Sequence, residues 1–137
     1  MKNIIIGACF ALLMGCVSTK NTNTIEADIL AKSSTSWNGD SLPNYPQGKP
    51  EISILRVVIP AGATLPLHKH PMINAGLLLK GQLTVILEDS TTLHLKAGDT
   101  IIEVVNKWHY GSNEGSVPAE IIVFYAGTQG QSLNIKK

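Results

Sequence analysis

The sequence has few charged residues, only two cysteines and none of the familiar catalytic signatures. Charged residues make up 15% of the chain and the formal net charge is +1, which excludes a basic face for binding nucleic acid. With 44% apolar residues the chain is not a disordered tail, and its 137 residues suffice for one domain with a core but not for two. It contains no Ser-His-Asp arrangement, no phosphate-binding glycine loop and no internal repeat of solenoid length.

The N-terminus has the features of a processed signal. Lys2 supplies a positive charge, and the apolar run "IIIGACFALLM" that follows is too short to span a bilayer, which takes about 20 residues. The run ends in "LMGC", which resembles the signal of bacterial lipoproteins and implies cleavage before Cys16, with lipid attached to that residue. We therefore predict a signal peptide over residues 1–15 and a polar tether over residues 16–26. An ordinary secretory peptide with an incidental cysteine is the alternative.

This interpretation also predicts a location. Cys9 would leave with the signal peptide, so the mature chain would contain no disulfide. The lipid would hold the domain at the membrane of the bacterial cell envelope. Val17 follows the cysteine, where an aspartate would signal retention in the inner membrane. In a Gram-negative cell the predicted location is therefore the outer membrane, facing the periplasm.

The rest of the chain, residues 27–137, is predicted to form one all-β domain. Short runs rich in β-branched residues are bounded by Gly, Pro, Asn, Asp or Ser, and their regular spacing is typical of a sandwich or a small barrel. The predicted strands are residues 51–60, 75–81, 82–89, 91–96, 100–105 and 119–127. The segment "NTIEADILAK" fits either a helical turn or a first strand, since so short a stretch shows no decisive periodicity.

Histidines are the candidate metal ligands. His68 and His70 are two residues apart, so in a strand both side chains project from the same face and can take adjacent positions around one metal ion. His109 lies on a later segment, "NKWHYGSN". His94 stands alone between two leucines and is predicted to be an ordinary surface residue. A pair of histidines at this spacing is by itself a weak signal.

The residues around these histidines resemble the two sequence motifs of the cupin family. The resemblance covers about residues 51–125 and rests on the spacing of Gly62, His68, His70, Asn74 and Gly81 in the first motif and of Gly98, His109 and Asn113 in the second. It implies an antiparallel jelly-roll β-barrel with room inside for one small ligand. It also implies a metal site on His68, His70 and His109, with one divalent transition metal per chain, Fe, Mn, Ni or Zn.

Two departures from the family pattern affect the site. Asn74 stands where the first motif has glutamate. Val104 and Asn106 stand where the second has proline and glycine, so the family pattern does not predict the shape of that turn. Three neutral imidazoles without a carboxylate would leave the ion its full charge, which favours an anionic small ligand. We predict that Asn74 orients this ligand or a water, or serves as a weak fourth metal ligand. A barrel that has lost its metal is the alternative.

The resemblance leaves two functions open. One is a mononuclear metal-dependent dioxygenase that acts on a small organic acid, diol or phenol. The other is a non-catalytic module that binds a small ligand or metal for sensing or transport. An acid or base inside the barrel would favour the enzyme, and Glu103 is the candidate, although the sequence does not show which face of its strand it occupies. Because the run "AEIIVFYAG" is apolar on both faces and small cupins often dimerise, we also predict a homodimer.

Overall fold

The computed structural model describes residues 24–137. The predicted signal peptide, Cys16 and most of the tether lie outside the described residues and stay predictions. Within the described part of the chain, no helix is both long and apolar enough to cross a membrane.

Residues 24–137 form nine β-strands in two antiparallel sheets, which confirms the predicted all-β jelly-roll fold. The strands are β1 (Pro50–Ile59), β2 (His68–Lys69), β3 (Ile73–Lys80), β4 (Gln82–Leu87), β5 (Thr92–Lys96), β6 (Thr100–Ile102), β7 (His109–Ser112), β8 (Ala119–Thr128) and β9 (Ile135–Lys136). One sheet has the strand order β1-β8-β3-β6 and the other has the order β5-β4-β7-β2-β9.

Alternating side chains of the two sheets form the core between them. In β1, Leu55, Val57 and Ile59 point inward, and the residues between them are exposed. Strand β8 shows the same alternation, with Ile121 and Val123 buried. Because the period of a strand is two residues, one face of each strand lines the interior and the other is left on the outside. The interior face is the one that carries the histidines.

The sequence predicted six of these strands, with bounds that differ by a few residues. Strand β3 begins at Ile73, earlier than expected, and β6 ends at Ile102, so the chain around Glu103 is not part of a strand. The two-residue strands β2 and β9 and the short β7 were not predicted. The segment at residues 24–32, which was left open between helix and strand, adopts neither.

The second motif makes a turn at Asn106, where the family pattern has glycine. Asn106 has φ of +58°, in the left-handed region, and its N–H donates to the carbonyl of His70 over 2.8 Å. Asparagine is one of the few residues other than glycine that adopts this conformation at low cost. Asn106 therefore adopts a left-handed conformation that suits glycine, in the turn that leads into His109.

Candidate metal centre

Strand pairing brings the histidines of the two motifs together. His68 of β2 lies directly opposite His109 of β7, and Lys136 of β9 lies opposite His68 on its other side. Directly opposed residues of antiparallel strands project from the same face, so the three side chains form a row across the sheet. His70, two residues after His68, projects from that face as well. One ring nitrogen from each histidine lies within 4.8 Å of the others.

The backbone fixes the tautomer of each imidazole. Nδ1 of His68 lies 2.8 Å from the carbonyl oxygen of Pro66, and Nδ1 of His70 lies 2.8 Å from that of Leu133. Nδ1 of His109 lies 2.9 Å from the carbonyl oxygen of Lys107. A carbonyl oxygen only accepts hydrogen bonds, so each Nδ1 carries the proton and each Nε2 presents a free lone pair. Histidines that ligate metals are held by this kind of hydrogen bond. The residues present therefore fit a metal ion bound through three Nε2 atoms.

Burial also keeps the imidazoles neutral. Burial lowers the pKa of His68 and of His109, and it lowers the pKa of His70 to about 4. A neutral imidazole is the form that binds metal, because a protonated ring has no free lone pair. At neutral pH all three rings are thus ready to ligate an ion.

The histidines lie at the polar end of a cavity of about 290 Å³. Tyr125, Asn134 and Lys136 add polar groups there, and the remaining wall is mainly aliphatic. The ring of Tyr125 packs edge-on against His70, with the ring centroids 5.4 Å apart. Burial raises the pKa of Tyr125 to about 12, so its hydroxyl stays protonated. The volume suits a single aromatic ring or a short aliphatic chain with one polar end.

Glu103 places a carboxylate in this cavity. Its side chain is 12% exposed, and Oε2 lies 3.8 Å from Nε2 of His109. That oxygen is buried and has no hydrogen-bond partner among the described residues. Burial raises the pKa of Glu103 to about 7, against a weaker opposing effect of His68. The expectation that the site lacks a carboxylate was based on the first motif alone, and the structure shows one arriving from the second.

Asn74 is buried beside the site but does not line the cavity wall. Its side chain is on the inner face of β3 and the residue is 1% exposed. Nδ2 donates to the carbonyl of Met72 over 3.4 Å, while Oδ1 is buried without a partner among the described residues. An amide oxygen left unsatisfied is an acceptor that a water in the site can use. Its role in orienting a ligand or binding a metal stays a prediction.

The structure separates His94 from the candidate ligands, as predicted. His94 is exposed on β5, where Nδ1 lies 3.1 Å from the hydroxyl of Thr84. Sequence reasoning missed Tyr125, Lys136 and the carbonyl of Leu133. Tyr125 has a signal in the alternation of β8, since it follows the buried Val123 by two residues. No pattern in the sequence marks the other two.

Comparisons with known proteins agree with this geometry. The sequence model of the cupin domain matches residues 55–125, a little over half of the chain. Among curated proteins, no significant relative is found. One similar solved structure is a conserved protein with a double-stranded β-helix domain from Klebsiella pneumoniae, with 19% identity, a TM-score of 0.55, and coverage of 66% of this chain and 86% of that one.

Two similar structures are enzymes. An oxalate oxidase in complex with the substrate analogue glycolate has 26% identity and a TM-score of 0.54, with 62% of this chain and 45% of that one covered. A DMSP lyase from Ruegeria pomeroyi has 21% identity and a TM-score of 0.56, with 63% and 43% covered. The matched part spans less than half of either enzyme. The match to the family model, the fold of two antiparallel sheets and the converging histidines together place this chain in the cupin domain family.

Proposed function

We propose that this cupin holds one divalent transition metal, Fe, Mn, Ni or Zn, on His68, His70 and His109, and that with a redox-active ion (Fe, Mn or Ni) it oxygenates a small organic acid, diol or phenol. The observation that carries the proposal is the set of three Nε2 atoms, each freed by a backbone carbonyl at Nδ1 and all converging at the polar end of an apolar cavity. Bound there, the metal would supply open positions for an oxygen-bearing substrate group and for dioxygen.

The cavity supports a substrate with one polar end and an apolar body. Aliphatic side chains such as Val57, Leu83 and Val123 would enclose the body and exclude water from it. Lys136 lies beside His68 at the polar end and favours an anionic group there. The hydroxyl of Tyr125 can donate a hydrogen bond to the same group. A similar structure, oxalate oxidase, was solved with glycolate, a small organic acid.

The buried carboxylate favours an enzyme over a passive binding barrel. Enclosing the carboxyl group of Glu103 in a largely apolar cavity costs free energy, and an acid or base inside the barrel is the feature expected of the enzyme rather than of a module for sensing or transport. Titratable groups with shifted pKa values concentrate at active sites. Glu103 is also the residue that the sequence identified as the discriminating feature between the two functions.

Metal analysis followed by oxygen uptake tests the proposal. The purified protein should contain, or take up, about one divalent ion per chain, and His68→Ala, His70→Ala and His109→Ala should each abolish stoichiometric binding. His94→Ala is the matched control and should bind normally. Oxygen consumption is then measured with catechols and small organic acids on protein loaded with each metal. A loaded protein that binds such a compound without turnover would identify the non-catalytic module instead.

We also propose that the protein is a lipoprotein anchored through Cys16. The charge at Lys2, the short apolar run and "LMGC" support the anchor. The wild-type protein should sediment with membranes in detergent-free buffer, and Cys16→Ala should move it to the soluble fraction. A Cys16→Ala variant that still sediments with membranes would contradict the anchor.

We also propose a homodimer, for which exposed apolar side chains on the outer face of one sheet are the support. Ile52 and Ile54 of β1 are 65% and 61% exposed, and Phe124 of β8, directly opposite Ile54, is 46% exposed. Contiguous exposed apolar side chains of this kind mark interaction surfaces. Light scattering at micromolar concentration should give twice the chain mass, and Ile54→Asp should give the monomer. A wild-type monomer at these concentrations would contradict the dimer.

A further inference from the structure

The position of Glu103 relative to the histidines is that of a further ligand. The two atoms concerned, Oε2 of Glu103 and Nε2 of His109, lie 3.8 Å apart. Ligand atoms sit about 2.0 to 2.2 Å from an ion such as zinc, so two ligands of one ion are separated by about 3 to 4 Å. The observed separation falls within that range, and Nε2 of His109 is free because Nδ1 already donates to a carbonyl.

The isolation of the Glu103 carboxylate points in the same direction. Its side chain has no cationic partner among the described residues, since the nearby imidazoles are neutral, and Oε2 has no hydrogen-bond donor there. Buried polar atoms are nearly always satisfied, and a carboxylate without a partner in an apolar cavity is costly. A cation bound by the three neighbouring imidazoles would satisfy it.

The backbone of Glu103 is held from both sides. Its N–H donates to the carbonyl of Asn74 over 3.1 Å, and its carbonyl accepts a hydrogen bond from the hydroxyl of Ser36 over 2.9 Å. These contacts fix where the side chain begins, although β6 ends at the preceding residue. Asn74, which occupies the motif position of the family's glutamate, thus contacts the main chain of Glu103.

We propose that Glu103 is the anionic ligand of the metal centre, supplied by the segment after β6 in place of the carboxylate that β3 lacks at Asn74. The inference rests on the proposed metal site of three histidines. It predicts a centre with three imidazoles and one carboxylate, in which the carboxylate comes from the second motif.

Moving the carboxylate between the two positions tests the proposal. The full-length protein is compared with Glu103→Gln, with the double variant Glu103→Gln/Asn74→Glu, and with Glu51→Gln, whose side chain is exposed on β1. Glutamine keeps the size of the side chain and removes only its charge. Co²⁺ affinity is measured by calorimetry, and the ligand set is followed by the visible absorption of bound Co²⁺. Circular dichroism of each metal-free variant confirms the fold.

Glu103→Gln should weaken Co²⁺ binding at least about tenfold and change the absorption spectrum, as expected when a charged ligand is lost. Restoring a carboxylate through Asn74→Glu should recover affinity in the double variant, and Glu51→Gln should match the wild type. Wild-type affinity and spectrum in Glu103→Gln, with binding lost in His109→Ala, would overturn the inference and leave the three-histidine site standing. Absence of Co²⁺ binding by the wild type would overturn the proposed function itself.

Discussion

Replacing Glu103 by glutamine should stabilise the metal-free protein at high pH. Burial raises the pKa of this carboxyl group from 4.5 to about 7. Between these pH values the unfolded chain has released the proton while the folded chain still holds it, so stability falls as pH rises. At about 1.4 kcal/mol per pH unit, the loss grows from near zero below pH 4.5 to about 3 kcal/mol above pH 7. Glutamine has no proton to release and avoids this loss.

Urea unfolding with a chelator present, followed by the fluorescence of Trp37 and Trp108, measures the difference. Subtracting the wild-type free energy of unfolding from that of Glu103→Gln cancels the contributions of the histidines, which both proteins share. The difference should be less than about 1 kcal/mol at pH 5 and about 3 kcal/mol in favour of the variant at pH 8. Glu51→Gln, an exposed substitution, should show no such dependence on pH.

Saturating Co²⁺ should reverse the sign of this difference at pH 8. A ligand that binds only the folded state stabilises it according to its affinity, so the protein with the carboxylate ligand gains more than the variant. The reasoning would be refuted by a metal-free difference that does not change between pH 5 and pH 8. It would also be refuted by a variant that is less stable than the wild type without metal at pH 8.

One truncation and substitutions at two positions test other parts of the site and the fold. A chain ending after Ser132 lacks the carbonyl group of Leu133, which accepts the hydrogen bond from His70. Its Co²⁺ affinity, measured by calorimetry, should fall about 10- to 100-fold, and an unchanged affinity would contradict this prediction. Asn113→Ala leaves several buried backbone groups without the side-chain amide that bonds them, so the free energy of unfolding in urea should fall by at least about 2 kcal/mol. An unchanged free energy of unfolding would show that water replaces the amide. Asn106→Val places a β-branched residue at a positive φ and should cost about 1 to 2 kcal/mol, whereas Asn106→Gly should not destabilise the fold.

The sequence predicted the parts of the site that depend on short-range geometry. His68 and His70 share a face because alternate residues of a strand do. The spacing of glycines and histidines in the two motifs predicted which segments would supply the ligands. The structure adds why His109 joins them, since it lies directly across from His68 in the sheet. Gly81 illustrates how such turns constrain sequence, because it has φ of +73° and a Cβ atom there would lie 2.7 Å from the carbonyl oxygen of Pro118.

Glu103 shows where this reasoning stopped. The sequence left the face of Glu103 open, because the register of the predicted strand was unknown. The structure places its side chain in the cavity, two residues after the buried Ile101. The contact between His70 and the carbonyl of Leu133 was beyond prediction, since it joins residues 63 positions apart through a main-chain atom that any residue would supply. The two-residue strand β9, which brings Lys136 beside His68, has no hydrophobic pattern that distinguishes it from a loop.

The origin of the carboxylate bears on the charge that the site prefers to bind. Three neutral imidazoles would leave a divalent ion with two positive charges, whereas coordination by Glu103 reduces this to one. Lys136 also favours an anion at this end of the cavity, but it is exposed to water, so its effect is weaker than that of the buried ion. A single carboxylate or phenolate group then neutralises the centre, and the aliphatic wall around the rest of the ligand encloses no net charge. A dianion would instead bring an uncompensated charge into that apolar space, which is costly. With Glu103 as a ligand, the centre therefore favours a monoanion, and the aliphatic wall of the cavity independently favours an apolar body.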